Sequence, residues 1–341
     1  LKLAGYRGQK MVSSEAAIIF SYVLYLIGIR DYGIDRTRMR QAIAEFYFMA
    51  SMTGRYTSSP ETRFEADLGQ VRDLASGEAF IAKLREICDT TLTNDYWEIT
   101  LPSQLATSAA RSPTLFAYQA SLIMLDAPAL FSPLKLAAMV DPAIKGSKAS
   151  LEQHHLFPRA YLEAQGVTDL KLINQIANFA PVEWPDNIKF GKQPPAEYVP
   201  ALDVQMTAAE RERVYGLHAL PHLWWELPYD QFLVERRLRM AQVVRRAWER
   251  LRGDAAIEAV SPPSVAELIE GGETGAVEFK STLRINLHTG QPDEKMHLSA
   301  LKTIAGFLNA KGGTLLIGVA DDGEVLGISA DGFPNEDKMG L

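Results

Sequence analysis

The sequence contains very little cysteine, since only Cys88 occurs among its 341 residues. A single thiol excludes an internal disulfide and every zinc site that needs several cysteines. A low cysteine content is also typical of proteins in a reducing compartment. We therefore expect a cytoplasmic location.

A long hydrophobic run is also missing. The most apolar stretch, residues 16–29, is interrupted by Ser21 and Gly28 and is shorter than the roughly 18 residues that a membrane span needs. We predict a buried helix there and no membrane partner. The chain opens on LKLAGYRGQK rather than on Met or a charged-then-apolar leader. We therefore expect an internal fragment without a signal peptide.

Positive charge is not in excess either. The 42 Asp and Glu residues outnumber the 35 Lys and Arg residues, and the formal net charge is -7. This balance argues against a protein that coats nucleic acid, so any nucleic-acid site must be local. With 47% hydrophobic and 23% charged residues, the composition is that of folded globular proteins.

The length and the changes of pattern along the chain predict an α+β protein of several units. Residues 1–148 have helical periodicity and suit a scaffold. Residues 149–252 begin with loops and end in a basic helix. Residues 253–264 include a Pro-Pro pair and are typical of a linker. Residues 265–341 have an α/β pattern.

Two helix starts are predicted in the first region. Ser59 suits an N-cap before Pro60 at the first helical position, and Ser76 is a second N-cap candidate. The apolar residues that follow them recur at helical spacing. They are Phe64, Leu68, Val71 and Leu74 after the first serine, and Phe80, Leu84 and Ile87 after the second.

Residues 231–253 form the most basic segment. Seven arginines are predicted to lie outside an apolar stripe of helical spacing. The stripe consists of Leu233, Met240, Val244, Ala247 and Leu251. Such a basic face can contact a phosphate backbone or simply be solvated, and the sequence leaves both alternatives open.

Strand and helix signals alternate beyond the linker. We predict a strand around residues 277–281, a helix over 296–309 and a strand in GGTLLIGV, and Asp322-Gly323 is typical of a hairpin turn. The chain stops at Leu341, where another helix is predicted to begin. We therefore expect this unit to be partial.

Two of the six histidines, His154 and His155, are adjacent, and a turn with Pro158 follows them. Adjacent side chains on an extended strand point to opposite sides, so one imidazole can bind a metal while the other activates water. The alternative is that both histidines are structural and that nearby asparagines only form turns.

Residues 149–200 resemble the HNH nucleases, in particular the C-terminal nuclease domain of GmrSD-type restriction endonucleases, and the preceding helices resemble the helical part of those proteins. The resemblance rests on the HHLFP run and on INQIANFAPVEWPDN. The ββα-metal fold of that family implies that His155 is the general base and that Asn178 stabilises the loop and orients the base. Asn174 is a competitor for the role of Asn178.

The same resemblance implies metal-dependent hydrolysis of DNA, with His154 and Asn187 as metal ligands. Mg²⁺ is the first expectation, because it keeps several waters and needs few protein ligands. Many relatives carry Asp where this chain has His154. An imidazole also suits Mn²⁺, Ni²⁺ or Zn²⁺.

Residues 265–341 resemble part of the Schlafen AlbA-like domain through GGETGAVEFK, a helix end with Asn and a glycine pair, and IGVADDG. The resemblance implies binding of RNA or single-stranded nucleic acid. In Schlafen ribonucleases it also implies an acidic metal site, for which Glu273, Glu278 and Asp321 are the catalytic candidates. The alternative is that these are strand and turn residues and that the unit binds without cleaving.

Two hypotheses follow for the whole chain. The first is a restriction-type defence nuclease that hydrolyses foreign or modified DNA. The second is a noncatalytic nucleic-acid-binding regulator with a degenerate nuclease domain. The sequence predicts neither the DNA recognised, nor an NTP requirement, nor the oligomeric state.

Overall fold

The computed structural model describes residues 1–8, 11–139, 151–183, 193–203, 206–253, 265–274, 277–309 and 313–333. It divides into two units, Leu1–Ala256 and Ile257–Leu341. The division lies within the predicted linker, and the predicted regions 1–148 and 149–252 belong to the same unit. The described residues are mostly helical with small sheets, which is consistent with the predicted α+β class.

Unit 1 is built from helices and one antiparallel strand pair in its described residues. The helices are α1 (Glu15–Arg30), α2 (Arg36–Met52), α3 (Pro60–Val71), α4 (Gly77–Thr91), α5 (Leu101–Gln104), α6 (Pro113–Met124), α7 (Leu136–Met139), α8 (Arg159–Ala164), α9 (Leu170–Ile173), α10 (Pro195–Asp203), α11 (Ala208–Leu217) and α12 (Tyr229–Arg252). The strands are β1 (Leu151–His155) and β2 (Phe179–Glu183). None of the described helices is long and apolar enough to cross a membrane.

Helix α2 lies at the centre of unit 1 and packs against α1, α4, α6 and α12. Its residues Phe46, Tyr47 and Phe48 are almost fully buried, because other helices cover it on several sides. The crossing with α1 is close at Gly28, where a Cβ atom would lie 2.4 Å from the Met39 sulfur. The glycine therefore allows the two helices to pack tightly.

The helix predicted in the most apolar stretch is present as α1, but it is not buried all round. Ala17 and Leu24 are buried, whereas Ile19 and Tyr22 are 58% and 59% exposed. The predicted buried helix is therefore buried on one face and exposed on the other. The physical reason is that α2 covers only one side of α1.

Both predicted helix starts are present. Pro60 is the first residue of α3, as expected, but the Ser59 side chain makes no capping hydrogen bond because its backbone is left-handed, with φ 49°. The Ser76 side chain does cap α4, since it accepts a hydrogen bond from the Ala79 amide at 3.2 Å. Phe80, Leu84 and Ile87 are buried as predicted.

Helix α12 contains the basic segment. Its predicted stripe is buried at Leu233, Met240, Val244 and Ala247. One arginine contradicts the prediction that all seven lie outside the stripe, because Arg236 has no solvent exposure. Its position, three residues after Leu233 and four before Met240, is on the stripe itself.

Unit 2 combines short strands and helices. They are α13 (Val265–Glu270), β3 (Val277–Lys280), β4 (Ile285–Asn286), β5 (Gln291–Pro292), α14 (Glu294–Asn309) and β6 (Thr314–Ile317). Strands β3 and β6 pair in parallel, and α14 lies between them in sequence, as a parallel pair requires a long connection. The predicted strand and helix positions are thus confirmed.

The hairpin turn predicted at Asp322-Gly323 is also confirmed. The Ala320 amide donates to the Glu324 carbonyl and the Gly323 amide donates to the Ala320 carbonyl, each at 2.9 Å. Gly323 has φ 87°, a left-handed conformation that favours glycine. The turn follows β6 and carries Asp321.

His218 should make unit 1 less stable in acid. Burial, helped by the charge of Arg236, lowers its pKa to about 4, and its buried Nδ1 has no hydrogen-bond partner among the described residues. The unfolded chain therefore binds a proton at His218 near pH 6.5, whereas the folded chain binds this proton only near pH 4. We expect the free energy of unfolding to fall by up to about 3 kcal/mol as the pH drops from about 6.5 to about 4.

The variant His218→Gln tests this prediction. Glutamine retains an N–H donor for the Pro128 carbonyl, which accepts from His218 Nε2 at 2.9 Å, but it does not titrate. Denaturant unfolding followed by tryptophan fluorescence reports on unit 1, because all five tryptophans precede residue 257. A pH dependence that is the same in the parent and the variant would contradict the assignment to His218.

Candidate active site

The adjacent histidines lie at the end of an antiparallel hairpin. In the register of β1 and β2, His154 is opposite Ala180 and His155 is opposite Phe179. The loop that joins the strands, residues 156–178, contains α8 and α9. The hairpin thus brings the HHLFP run next to Asn178, whose carbonyl accepts from the Leu156 amide.

The two imidazoles have different surroundings, as the alternation along a strand predicts. His154 is only 4% exposed, and its ring packs edge-on against Tyr198 with 5.9 Å between the ring centroids. His155 is half-buried. His154, the predicted metal ligand, is therefore interior. His155, the predicted base, is accessible.

His155 is held by two neighbours. Its Nε2 atom is 3.1 Å from Asn174 Oδ1, and its ring packs against Phe179 with 4.1 Å between the ring centroids. Because a carbonyl oxygen only accepts, Nε2 carries the hydrogen in this contact and Nδ1 is left as the proton acceptor. The contact thus orients the ring and selects its tautomer.

The protonation equilibrium of His155 also suits a base. Burial lowers the pKa of His155, the hydrogen bond to Asn174 opposes this shift, and the positive charge of Arg159 adds to it. The imidazole is therefore neutral at pH 7, the form that can take up a proton.

Asn178 stabilises the loop through its buried amide. Its Oδ1 accepts from the Phe157 amide at 2.9 Å, and its Nδ2 donates to the carbonyls of Phe157 at 3.1 Å and Ile173 at 3.0 Å. All its bonds go to backbone groups. The structure thus separates the two tasks that the sequence assigned to Asn178, since Asn178 secures the loop and Asn174 contacts His155.

The loop is anchored to the helices around it. Arg236 Nη1 donates to the Ala177 carbonyl at 2.6 Å, and Nε and Nη2 donate to the His218 carbonyl at 3.4 and 3.3 Å. The Tyr198 hydroxyl on α10 donates to the Leu156 carbonyl at 2.7 Å. Sequence reasoning missed these anchors, although the helical spacing of Arg236 was a visible signal for its burial.

The predicted metal ligands are only partly described. His154 is placed in β1, whereas Asn187 lies outside the described residues. Within the part of the chain that the structure describes, no group of three or more His, Cys, Asp or Glu side chains is arranged to hold a metal ion.

The acidic candidates of unit 2 have different partners. Glu273 Oε1 accepts from the Phe279 amide at 2.8 Å. Glu278 Oε1 pairs with Lys280 Nζ at 2.6 Å. Asp321 is exposed on the turn after β6. In the described residues the three carboxylates do not form a metal-holding group.

The carboxylate that organises unit 2 is a residue that the sequence did not single out. Asp331 is buried, and it accepts from the amides of Leu283 and Arg284 at 2.8 Å and from that of Ile285 at 3.1 Å. These bonds fix the segment that follows β3. No local pattern in the sequence marks Asp331, because its partners are more than forty residues away.

Comparison with known families supports the C-terminal part of the prediction. Residues 273–340 match the family model described as Schlafen, AlbA_2, and the match is compatible with the nucleic-acid-related function that the resemblance implies. It does not include the hairpin, whose resemblance to HNH and GmrSD-type nucleases stays a prediction. No curated protein and no solved structure matches the chain.

Asn178→Ala should destabilise unit 1 by about 3 kcal/mol, because it leaves one buried N–H and two buried carbonyls without their amide partner. The matched control is Asn174→Ala, which removes one bond of a partly exposed side chain and should cost less than about 1 kcal/mol. Denaturant unfolding with tryptophan fluorescence measures both. Equal losses in the two variants would show that Asn178 does not secure the loop.

Proposed function

We propose that unit 1 is a metal-dependent endonuclease that hydrolyses DNA phosphodiesters, with His155 as the general base. The observation that carries the proposal is the state of His155. It is accessible, neutral at pH 7 and oriented by Asn174, at the end of a hairpin whose loop is secured by Asn178. This combination is what water activation needs.

The chemical step assigns one task to the imidazole. His155 Nδ1 takes a proton from a water molecule, and the oxygen of that water attacks the phosphorus atom. The bond from phosphorus to the leaving sugar oxygen breaks, and that oxygen acquires a proton. Negative charge grows on the phosphoryl oxygens during this step and has to be offset.

The hairpin region offers some of the ligands that a divalent cation needs. His154 offers an imidazole, which Mn²⁺, Ni²⁺ and Zn²⁺ accept more readily than Mg²⁺ does. His154, with Asn187 as second ligand, would hold the cation. When bound, the cation supplies positive charge beside the phosphate. Mg²⁺ is the first cofactor to test and the other three ions are alternatives.

The biological role that we propose is restriction-type defence against foreign or modified DNA. It follows from the resemblance to GmrSD-type proteins, in which helices carry the nuclease domain. The packing supports this arrangement, because Arg236 on α12 and Tyr198 on α10 bind the loop of the hairpin directly. The hairpin loop is thus hydrogen-bonded to two helices of the scaffold.

Unit 2 has two possible roles within this proposal. It binds RNA or single-stranded nucleic acid, and it either cleaves that ligand through Glu273, Glu278 and Asp321 or only binds it. The ion pair between Glu278 and Lys280 favours binding alone, since it occupies a carboxylate that a metal would need. The wider alternative, a noncatalytic regulator, predicts that neither unit cleaves.

His155→Ala should reduce cleavage of plasmid DNA by more than about 100-fold, because the base is lost while the hairpin contacts of Asn178 persist. The assay uses plain and modified plasmid with Mg²⁺, Mn²⁺ or a chelator. His222→Ala is the matched control, since His222 is an exposed histidine of the same unit. Metal-dependent cleavage that is equal in the parent and in His155→Ala would reject the assignment.

The pH profile gives an independent check of the same residue. Because the pKa of His155 is lowered, the acid limb of kcat/KM should have its midpoint below pH 6.5. The rate should rise through that midpoint as the imidazole loses its proton. A midpoint above pH 6.5 would contradict a base with this environment.

Glu273→Gln and Glu278→Gln test the role of unit 2. If the unit only binds, both variants should bind labelled RNA and single-stranded DNA at least as tightly as the parent, because each loses a negative charge near phosphate. Gel shifts and cleavage assays with Mg²⁺ or Mn²⁺ measure both properties. Cleavage by the parent that disappears in both variants would instead establish a catalytic acidic site.

A further inference from the structure

A second site of unit 1 lies away from the hairpin. A cavity of about 320 Å³ is lined by Lys2, Arg7 and Arg250, together with the amide of Gln41 and apolar residues that include Met124 and Leu251. Three cationic side chains and no carboxylate are among its lining residues. Arg250 is near the end of α12, fourteen residues after Arg236, which corresponds to about 20 Å along the helix.

The fold brings these distant cations together through close packing. The short 3₁₀ turn Lys2–Ala4 ends at Gly5, which has φ 78°. A Cβ atom at Gly5 would lie 2.1 Å from the Ala120 carbonyl oxygen of α6, so only glycine allows this approach. The Gln41 side chain on α2 donates to the Leu251 carbonyl. Both walls of the cavity are therefore attached to the core.

The positive charges of the cavity are not neutralised within the described residues. Three neighbouring carboxylates pair with other arginines, namely Glu45 with Arg85, Asp89 with Arg252 and Glu249 with Arg245. A fourth, Glu15, lines another cavity together with Lys2 and Arg7, but it makes no ion pair with them in the described residues. Lys2, Arg7 and Arg250 have no ion pair in the described part of the chain. The buried Nε atom of Arg7 also has no hydrogen-bond partner there.

We propose that this cavity binds a phosphate group. A phosphate carries the multiple negative charges that three cationic lining residues match, and guanidinium groups present their N–H donors in the geometry of phosphate oxygens. A buried guanidinium N–H without a partner is an unusual donor that such an oxygen would satisfy. The phosphate belongs either to a small phosphorylated molecule or to a nucleic-acid strand, and the volume accommodates a small ligand.

This inference is independent of the proposed nuclease. It uses none of the residues assigned to the hairpin. Accordingly, His155→Ala should bind the phosphate ligand as the parent does, and loss of cleavage would leave this result unchanged. Failure of one proposal can therefore be told from failure of the other.

Calorimetry with the full chain tests the site. The probes are inorganic phosphate, AMP, adenosine as the phosphate-free control, and a single-stranded oligonucleotide with hydroxyl ends. We expect AMP or the oligonucleotide to bind and adenosine not to bind. Binding of AMP identifies a small phosphorylated ligand. Binding of the oligonucleotide alone identifies a strand at this cavity where Arg7→Gln and Arg250→Gln weaken it, because unit 2 is itself proposed to bind single-stranded nucleic acid.

Three variants locate the binding. Arg7→Gln and Arg250→Gln should each weaken the binding of the phosphate probe by at least about tenfold. Arg239→Gln is the matched control, because it removes the same charge from an exposed arginine of α12 that does not line the cavity. Tryptophan fluorescence confirms that each variant is folded.

Several results would overturn the proposal. One is that no phosphate probe binds at millimolar concentration. Another is that Arg7→Gln and Arg250→Gln both bind as tightly as the parent. A third is that Arg239→Gln loses as much affinity as they do, which would indicate unspecific attraction to the basic helix.

Discussion

The buried amide of Asn178 is the interaction on which the candidate active site depends. A loop that joins two strands exposes many backbone groups, and those that become buried have to find partners. Asn178 satisfies one N–H and two carbonyls at once, and its own backbone carbonyl accepts from the Leu156 amide at 2.8 Å. The residues on both sides of the loop are thereby held together. This constraint places His155 and Asn174 within hydrogen-bond distance.

Arg236 extends the same constraint to the helical scaffold. A guanidinium without solvent exposure is costly unless its N–H groups are bonded. Here the carbonyls of Ala177 and His218 accept those N–H groups, and the ring of Phe232 lies 5.9 Å away. The loop, α11 and α12 are therefore joined at one charged group. Removing it would leave the carbonyls of Ala177 and His218 without their partner.

The distribution of charge explains how a chain with a net negative charge can bind phosphate at local sites. Many arginines pair with carboxylates, as Arg55 does with Asp67 through two bonds and Arg85 does with Glu45. Such pairs serve the fold. The cations that line the proposed phosphate cavity, Lys2, Arg7 and Arg250, make no such ion pair in the described residues. In unit 2, by contrast, the carboxylate of Glu278 forms an ion pair with Lys280.

The sequence by itself determined the features that depend on near neighbours in the chain. The spacing of Phe80, Leu84 and Ile87 predicted a buried helix face, and Asp322-Gly323 predicted a turn, because both depend on contacts within a few residues. The adjacency of His154 and His155 likewise predicted two different environments. These properties follow from backbone geometry alone.

Only the tertiary structure decided which distant residues meet. The sequence could not separate Asn174 from Asn178, because the choice depends on how the loop folds back on β1. The buried bonds of Asp331 and the presence of Lys2, Arg7 and Arg250 around one cavity were equally beyond local patterns. Such contacts are set by strand register and helix packing over the whole unit, which no short stretch of sequence encodes.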